Sequence, residues 1–167
     1  DSNFANAACP ITKFRYNGSD SLYNSGSASL SFFYNCISLK EVYIGAQTAG
    51  PFMQGASNLK YFSGANITAF SYNYSMAGLA KLSKVSLPKL ASVVYGCFDS
   101  DTALASASFP FCSAVWGSSF FNCSALASAY LPICSVIAND AFNGCSSLPT
   151  ISLPLATSIG ERAFYGC

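Results

Sequence analysis

Phe120-Phe121-Asn122-Cys123-Ser124-Ala125-Leu126 returns as Phe142-Asn143-Gly144-Cys145-Ser146-Ser147-Leu148, and its first four positions return again as Phe164-Tyr165-Gly166-Cys167. The copies lie 22 residues apart, with Cys three residues after Phe and Leu three residues after Cys. The register runs backwards through Phe98/Asp101/Leu104, Met76/Leu79/Leu82, Met53/Ala56/Leu59 and Phe33/Cys36/Leu39. Steps at the Cys position are 20, 23, 22, 22, 22 and 22. A self-similar period of this length specifies a solenoid, in which each unit buries its apolar face only against its neighbours.

Each Leu opens a strand-like block: Leu82-Ser-Lys-Val85-Ser-Leu87-Pro88, Leu104-Ala-Ser-Ala107-Ser-Phe109-Pro110, Leu126-Ala-Ser-Ala129-Tyr-Leu131-Pro132 and Leu148-Pro-Thr-Ile151-Ser-Leu153-Pro154. Leu39-Lys-Glu-Val42-Tyr-Ile44 and Leu59-Lys-Tyr-Phe62-Ser-Gly64 are less regular copies. The alternation is that of a strand with one buried face, and proline, lacking the N–H a ladder needs, ends it. One parallel sheet is expected, with strands centred on Val42, Phe62, Val85, Ala107, Ala129 and Ile151. The chain then returns irregularly, with Val93, Val115, Ile137 and Ile159 as one inward column and Phe98, Phe120, Phe142 and Phe164 as another. The residue before the Cys position reads Asn35, Gly55, Gly78, Ser100, Asn122, Gly144, Gly166, which predicts a left-handed turn there. Phe4 to Ile11 matches the seven-residue step from Phe52 to Leu59, so the N-terminus joins the array, and residues 17–32 overrun the period as a longer loop. The chain reads as one solenoid domain over 1–167, with about seven coils stacked ~4.8 Å apart into a rod or arc of roughly 35 Å.

Leu-x-x-Ile-x-Leu-Pro followed by Ser-Ile-Gly-x-x-Ala-Phe-x-Gly-Cys, as in Leu148–Pro154 and Ser158–Cys167, resembles the BspA-like leucine-rich repeats. The resemblance covers nearly the whole chain and is strongest from residue 82 onward. It implies a leucine-rich-repeat solenoid with a parallel sheet on one face and irregular turns or short 3-10 segments on the other. It also implies an extracellular or cell-surface setting and a role in adhesion, since such repeats occur on secreted and surface proteins. That last step is an analogy of fold.

Charged residues make up only 9% of the chain and the net charge is +1. Lys81, Lys84 and Lys89 are the nearest approach to a basic cluster, so no nucleic-acid partner is expected. No 18-residue apolar run predicts a membrane span. The chain starts at Asp1 with no initiator Met and no signal peptide, which reads as a processed form or a segment of something longer. There is no histidine, hence no usual serine triad, and Asp99 and Asp101 are the only close acidic pair, read as a polar cap of the turn. Neither an enzyme, a metal site nor a cofactor is expected. Cys36, Cys123, Cys145 and Cys167 share a column with Ala56 and Leu79, and Cys112 and Cys134 one with Leu90 and Ala156. Such exchanges suit small buried hydrophobes, so thiols are expected, although neighbouring coils bring Cys112 and Cys134 within bridging range. Sequons stand at Asn17, Asn66, Asn73 and Asn122.

Function then depends on the outward columns of the sheet: Glu41, Tyr61, Lys84, Ser106, Ser128, Thr150 and Tyr43, Ser63, Ser86, Ser108, Tyr130, Ser152. Aromatic and basic groups dominate interfaces energetically, which singles out Tyr43, Tyr61, Lys84 and Tyr130 as anchors of a site for a protein or glycan ligand, with Glu41 beside them in the outward columns. The array also runs from Phe4 and Ile11 to Ile159 and Phe164 without an atypical polar cap, so its ends suit end-to-end stacking into a homo-oligomer, filament or surface layer. A third, remote reading is ice binding by the Ser/Thr ladder, which Tyr130 interrupts.

Overall fold

A computed structural model describes residues 9–18, 33, 36–49, 53 and 55–167. Residues 19–32 of the loop expected over 17–32, together with Phe4 and Asn35, lie outside these residues. The described chain is a parallel β-solenoid without a helix. Its strands are β1 (Lys13–Tyr16), β2 (Glu41–Ile44), β3 (Thr48–Ala49), β4 (Tyr61–Gly64), β5 (Ala69–Phe70), β6 (Lys84–Ser86), β7 (Ser92–Val93), β8 (Ser106–Ser108), β9 (Ala114–Val115), β10 (Ser128–Tyr130), β11 (Val136–Ile137) and β12 (Ser158–Ile159).

The face strands are β1, β2, β4, β6, β8 and β10, all parallel and in register, Phe14 with Val42, Val42 with Phe62, Phe62 with Val85 and Ala107 with Ala129. They mark five complete turns, fewer than the about seven coils expected. At the next rung only Tyr130 and Ser152 bridge. Proline explains the loss. In earlier coils the residue after the Leu sends its N–H back one coil, as Ala127 does to the Ala105 carbonyl (3.0 Å), and Pro149 at that place has none. The face is also not one sheet: it breaks between β6 and β8, where the Ala105 N–H lies 3.5 Å from the Ser83 carbonyl. The break falls at the coil where Phe109 enters a column held by Leu87 one coil before and by Leu131 and Leu153 after.

The return is more ordered than expected. The return carries a second parallel ladder in two sheets, β3 with β5, and β7, β9, β11 and β12 together. Its lead residues pass N–H bonds back one coil, Ser113 to Ala91, Ser135 to Ser113 and Thr157 to Ser135, each at 2.9 Å. Their hydroxyls donate to the same carbonyls at 3.1–3.2 Å. A third ladder crosses the turn and runs the other way. The N–H groups of Phe98, Phe120 and Phe142 donate forward to Ser119, Ala141 and Ala163 at 2.7–2.8 Å. Left-handed φ occurs at Gly55, Gly78, Ser100, Asn122, Gly144 and Gly166, as the column predicted. A second left-handed column, Tyr74, Gly96, Ser118, Asp140 and Arg162, has no counterpart in the sequence reading.

Three walls of satisfied backbone enclose a continuous apolar core. Phe98, Phe120, Phe142 and Phe164 stack with ring centroids 5.2, 4.9 and 5.4 Å apart and planes within 16°. Such pairs are worth roughly 0.5–1.5 kcal/mol each beyond burial. All eight cysteines are free thiols. Those of Cys123, Cys145 and Cys167 donate to the carbonyls of Phe98, Phe120 and Phe142 at 3.0–3.3 Å, so the column favours a small group with a weak donor. Cys112 and Cys134 face each other as thiols, and the hydrogen bond that Cys112 donates to Cys134, then burial, pushes Cys112 up.

Candidate binding face

In-register stacking of parallel strands lays equivalent outward residues side by side, one rung ~4.8 Å from the next. Lys13, Glu41, Tyr61 and Lys84 form one outward column, and Arg15, Tyr43, Ser63 and Ser86 the other. Glu41 pairs with Lys13 at 2.8 Å and accepts the Tyr43 hydroxyl at 3.1 Å. The Lys13 hydrogen bond holds the Glu41 carboxyl below its usual range, and Glu41 in turn raises Lys13. Tyr43 and Tyr61 are ring neighbours at 5.3 Å. The Arg15 guanidinium lies 4.6 Å from the Tyr43 centroid, and the Lys84 ammonium 5.9 Å from that of Tyr61. Four of the five residues expected to bind therefore form one patch.

Tyr130 does not join them. It sits four rungs from Tyr43 in the same column, about 19 Å away at ~4.8 Å per rung, and is 58% exposed among serines. It also interrupts the hydroxyl row on which ice binding depended. The sequence reading missed Lys13 and Arg15. Both fall two and four residues after Ile11, in the two outward columns, so carrying the columns back one coil finds them.

The other lysines of the expected cluster are spread out. Lys81 and Lys89 bind the amide oxygens of Asn58 and Asn66 one coil back, at 2.5 and 2.9 Å. Asn66 also donates to the Gly45 carbonyl. Of the acidic pair read as a polar cap, Asp99 lies at the surface turn, while Asp101 is fully buried and accepts the Leu79 N–H of the preceding coil. Among the array-end residues, Ile11 is half-buried against the core, Phe164 packs on Phe142, and Ile159 is 58% exposed. Among the described residues no three His, Cys, Asp or Glu side chains gather as metal ligands. No helix there is long and apolar enough to cross a membrane.

A family model described as BspA type Leucine rich repeat region matches residues 49–167 in six copies. The fold is similar to that of a leucine-rich repeat protein from Eubacterium ventriosum ATCC 27560, with a TM-score of 0.75 at 22% identity over 93% of this chain. A leucine-rich repeat protein from Bacteroides ovatus ATCC 8483 aligns with a TM-score of 0.46 at 18% identity over 89% of this chain. The chain spans 43% and 50% of the lengths of these two proteins. No curated protein matches it.

Proposed function

Because the chain belongs to the BspA-type leucine-rich repeat family, a family of repeat modules, we propose that it is an extracellular or cell-surface binding module. Its ligand meets the N-terminal half of the sheet face. The observation that supports this reading is the contiguous patch of Tyr43 and Tyr61 flanked by Lys13, Arg15 and Lys84. Glu41 neutralises one cation, Lys13, and leaves Arg15 and Lys84 available. A protein surface bearing carboxylates suits such a patch, with the rings as apolar anchors and the cations setting orientation and encounter rate. The test is capture on an array of matrix proteins and glycans. Tyr61→Ala and Lys84→Ala are expected to weaken capture without lowering Tm, Ser108→Ala and Ser152→Ala to leave it unchanged, and added salt to reduce it. Equal losses from both sets move the site off this face.

End-to-end stacking is the second reading. The N–H groups of Arg162, Phe164 and Gly166 occupy the forward-donating places of the turn ladder and have no acceptor among the described residues. A further coil, from a second copy or a longer array, would accept them. Sedimentation of the 167-residue chain separates the readings: a monomer at high concentration removes self-stacking.

A further inference from the structure

Tyr74, Tyr95 and Trp116 recur at a step of 21, one residue short of the 22-residue repeat. They therefore climb diagonally, one ring per coil, across the turn side, away from the sheet-face patch. All three are exposed, at 47%, 43% and 49%, with Tyr72 at 41% beside them. Solvated aromatic side chains in such a row call for an explanation.

The row is built rather than accidental. A Cβ on Gly96 would meet the Tyr74 ring at 2.2 Å, and one on Gly117 the Tyr95 ring at 2.8 Å. Each tyrosine ring thus packs against a glycine one coil further on, in space that a side chain there would fill, and keeps more than two-fifths of its surface exposed. Tyr74 and Tyr95 meet edge to face at 5.6 Å. Tyr74 itself holds φ of 55°, a conformation its bulky side chain disfavours, in a slot filled elsewhere by Gly96, Ser118, Asp140 and Arg162. A shallow cavity lies on either side of the pair. One, about 280 Å³, is lined by Asn73, Val94, Tyr95 and Trp116. The other, about 290 Å³, is lined by Tyr74, Ala77, Gly78, Asp99 and Ser100. Both fall below the roughly 300–1,000 Å³ of pockets that enclose a whole ligand.

We propose that this staircase is a glycan-binding site for chains of uncharged hexopyranoses, whose sugars pack on the exposed surfaces of Tyr74, Tyr95 and Trp116. The C–H face of a pyranose packs on an aromatic plane, and its rim of hydroxyls needs neutral or anionic acceptors. Asn73 supplies an amide in one cavity and Asp99 a carboxylate in the other, whose Oδ1 already accepts the Ser100 hydroxyl at 2.8 Å. No lysine or arginine lines either cavity, and Asp99 repels uronic and sialic acids. A quaternary ammonium fits less well. Of the three rings only Tyr74 shares a cavity with Asp99, while Tyr95 and Trp116 line the other, so no aromatic cage closes round the carboxylate.

Trp116 is the chain's single tryptophan, so its emission reports on this site alone. The 167-residue chain is titrated with maltohexaose, cellohexaose, laminarihexaose and mannohexaose, and with oligogalacturonate and choline as contrasts. A saturable blue shift with at least one neutral oligosaccharide, and with neither contrast, is the expected result. By calorimetry, Trp116→Ala and Tyr95→Ala then weaken that sugar by about tenfold or more. Gly117→Ala does the same with every ring retained, because it lifts Tyr95 off its seat. Tyr61→Ala on the sheet face leaves sugar affinity unchanged, which separates this site from the other. The proposal is overturned if no neutral sugar shifts the emission, if galacturonate or choline binds as well or better, or if the three staircase variants bind like the unmodified chain.

Discussion

Asp101→Asn tests the most unusual residue of the core. Asp101 stands at the Cys position of its coil, where the coils on either side carry Leu79 and Cys123. Its Oδ1 accepts the Leu79 N–H at 2.7 Å, and its Oδ2 has no partner among the described residues. Burial pushes its carboxyl well above the usual range, with the Asp99 charge adding and the Leu79 amide opposing. The facing thiols of Cys97 and Cys123, raised by burial and then by Asp101, supply no charge to stabilise a carboxylate. The aspartate of an unfolded chain titrates at about 3.9. Between that pH and the raised native value, folding takes up a proton. Stability is therefore greatest below the unfolded value and falls as pH rises through the window, with a limiting slope of about 1.4 kcal/mol per pH unit. Asn keeps the acceptor for Leu79 and has no proton to hold. Its buried NH2 group replaces an equally unpartnered carboxylic O–H, so the variant costs little at low pH and gains on the unmodified chain as pH rises. Urea unfolding of both chains at half-unit steps from about pH 4 to pH 8 reads this directly. Taking the difference cancels exposed carboxylates such as Glu41, whose lowered pKa gives the opposite slope. A difference independent of pH refutes the reasoning, because it means that native Asp101 is already ionised.

Phe142 loses two stacked neighbours and its burial when cut to Ala, so Phe142→Ala is expected to lower unfolding free energy by about 3–5 kcal/mol in urea. Gly78→Ala and Gly144→Ala share a φ near +75 to +79°, but an added Cβ meets nothing at Gly78 and the Asn122 Oδ1 at 2.4 Å at Gly144. The first should cost roughly 1–2 kcal/mol, and the second more, because the Asn122 amide must turn aside and its Cα stands 3.3 Å from the added Cβ; equal losses by thermal unfolding show that this rearrangement is free. With seven thiols buried and Cys167 exposed, a thiol reagent should label one cysteine fast in the native 167-residue chain, and reductant should leave Tm unchanged. Several fast thiols, or a drop in Tm on reduction, contradict the packing described.

Much of this architecture is legible in one dimension, because a solenoid meets only its own neighbours and a fixed period places equivalent residues in contact. The Phe stack, the inward Val93, Val115 and Ile137, the left-handed residue before the Cys position from Gly55 onward and the patch of Glu41, Tyr43, Tyr61 and Lys84 all follow from columns read at 22 residues; Ile159, expected in the same inward column, is exposed because no described coil packs beyond it. The second ladder is not legible in this way, because two-residue strands are too short to show alternation. Pro149 reads as part of a strand block because its side chain fits the pattern; the missing N–H matters only once Ala127 is seen to donate at the equivalent place.

By itself, then, the sequence determined which residues turn inward and which outward, since that depends only on period and polarity. Tertiary structure alone decided how each residue meets the coil beside it. It made Asp101 a buried acceptor for the Leu79 N–H one coil back, and turned Cys123, Cys145 and Cys167 into donors to phenylalanine carbonyls. It also laid Tyr74 and Tyr95 over Gly96 and Gly117 as a diagonal row that no column at the repeat period reveals. These contacts are set by backbone direction and by a lateral offset of one residue per coil, and neither quantity is written in the composition of a column.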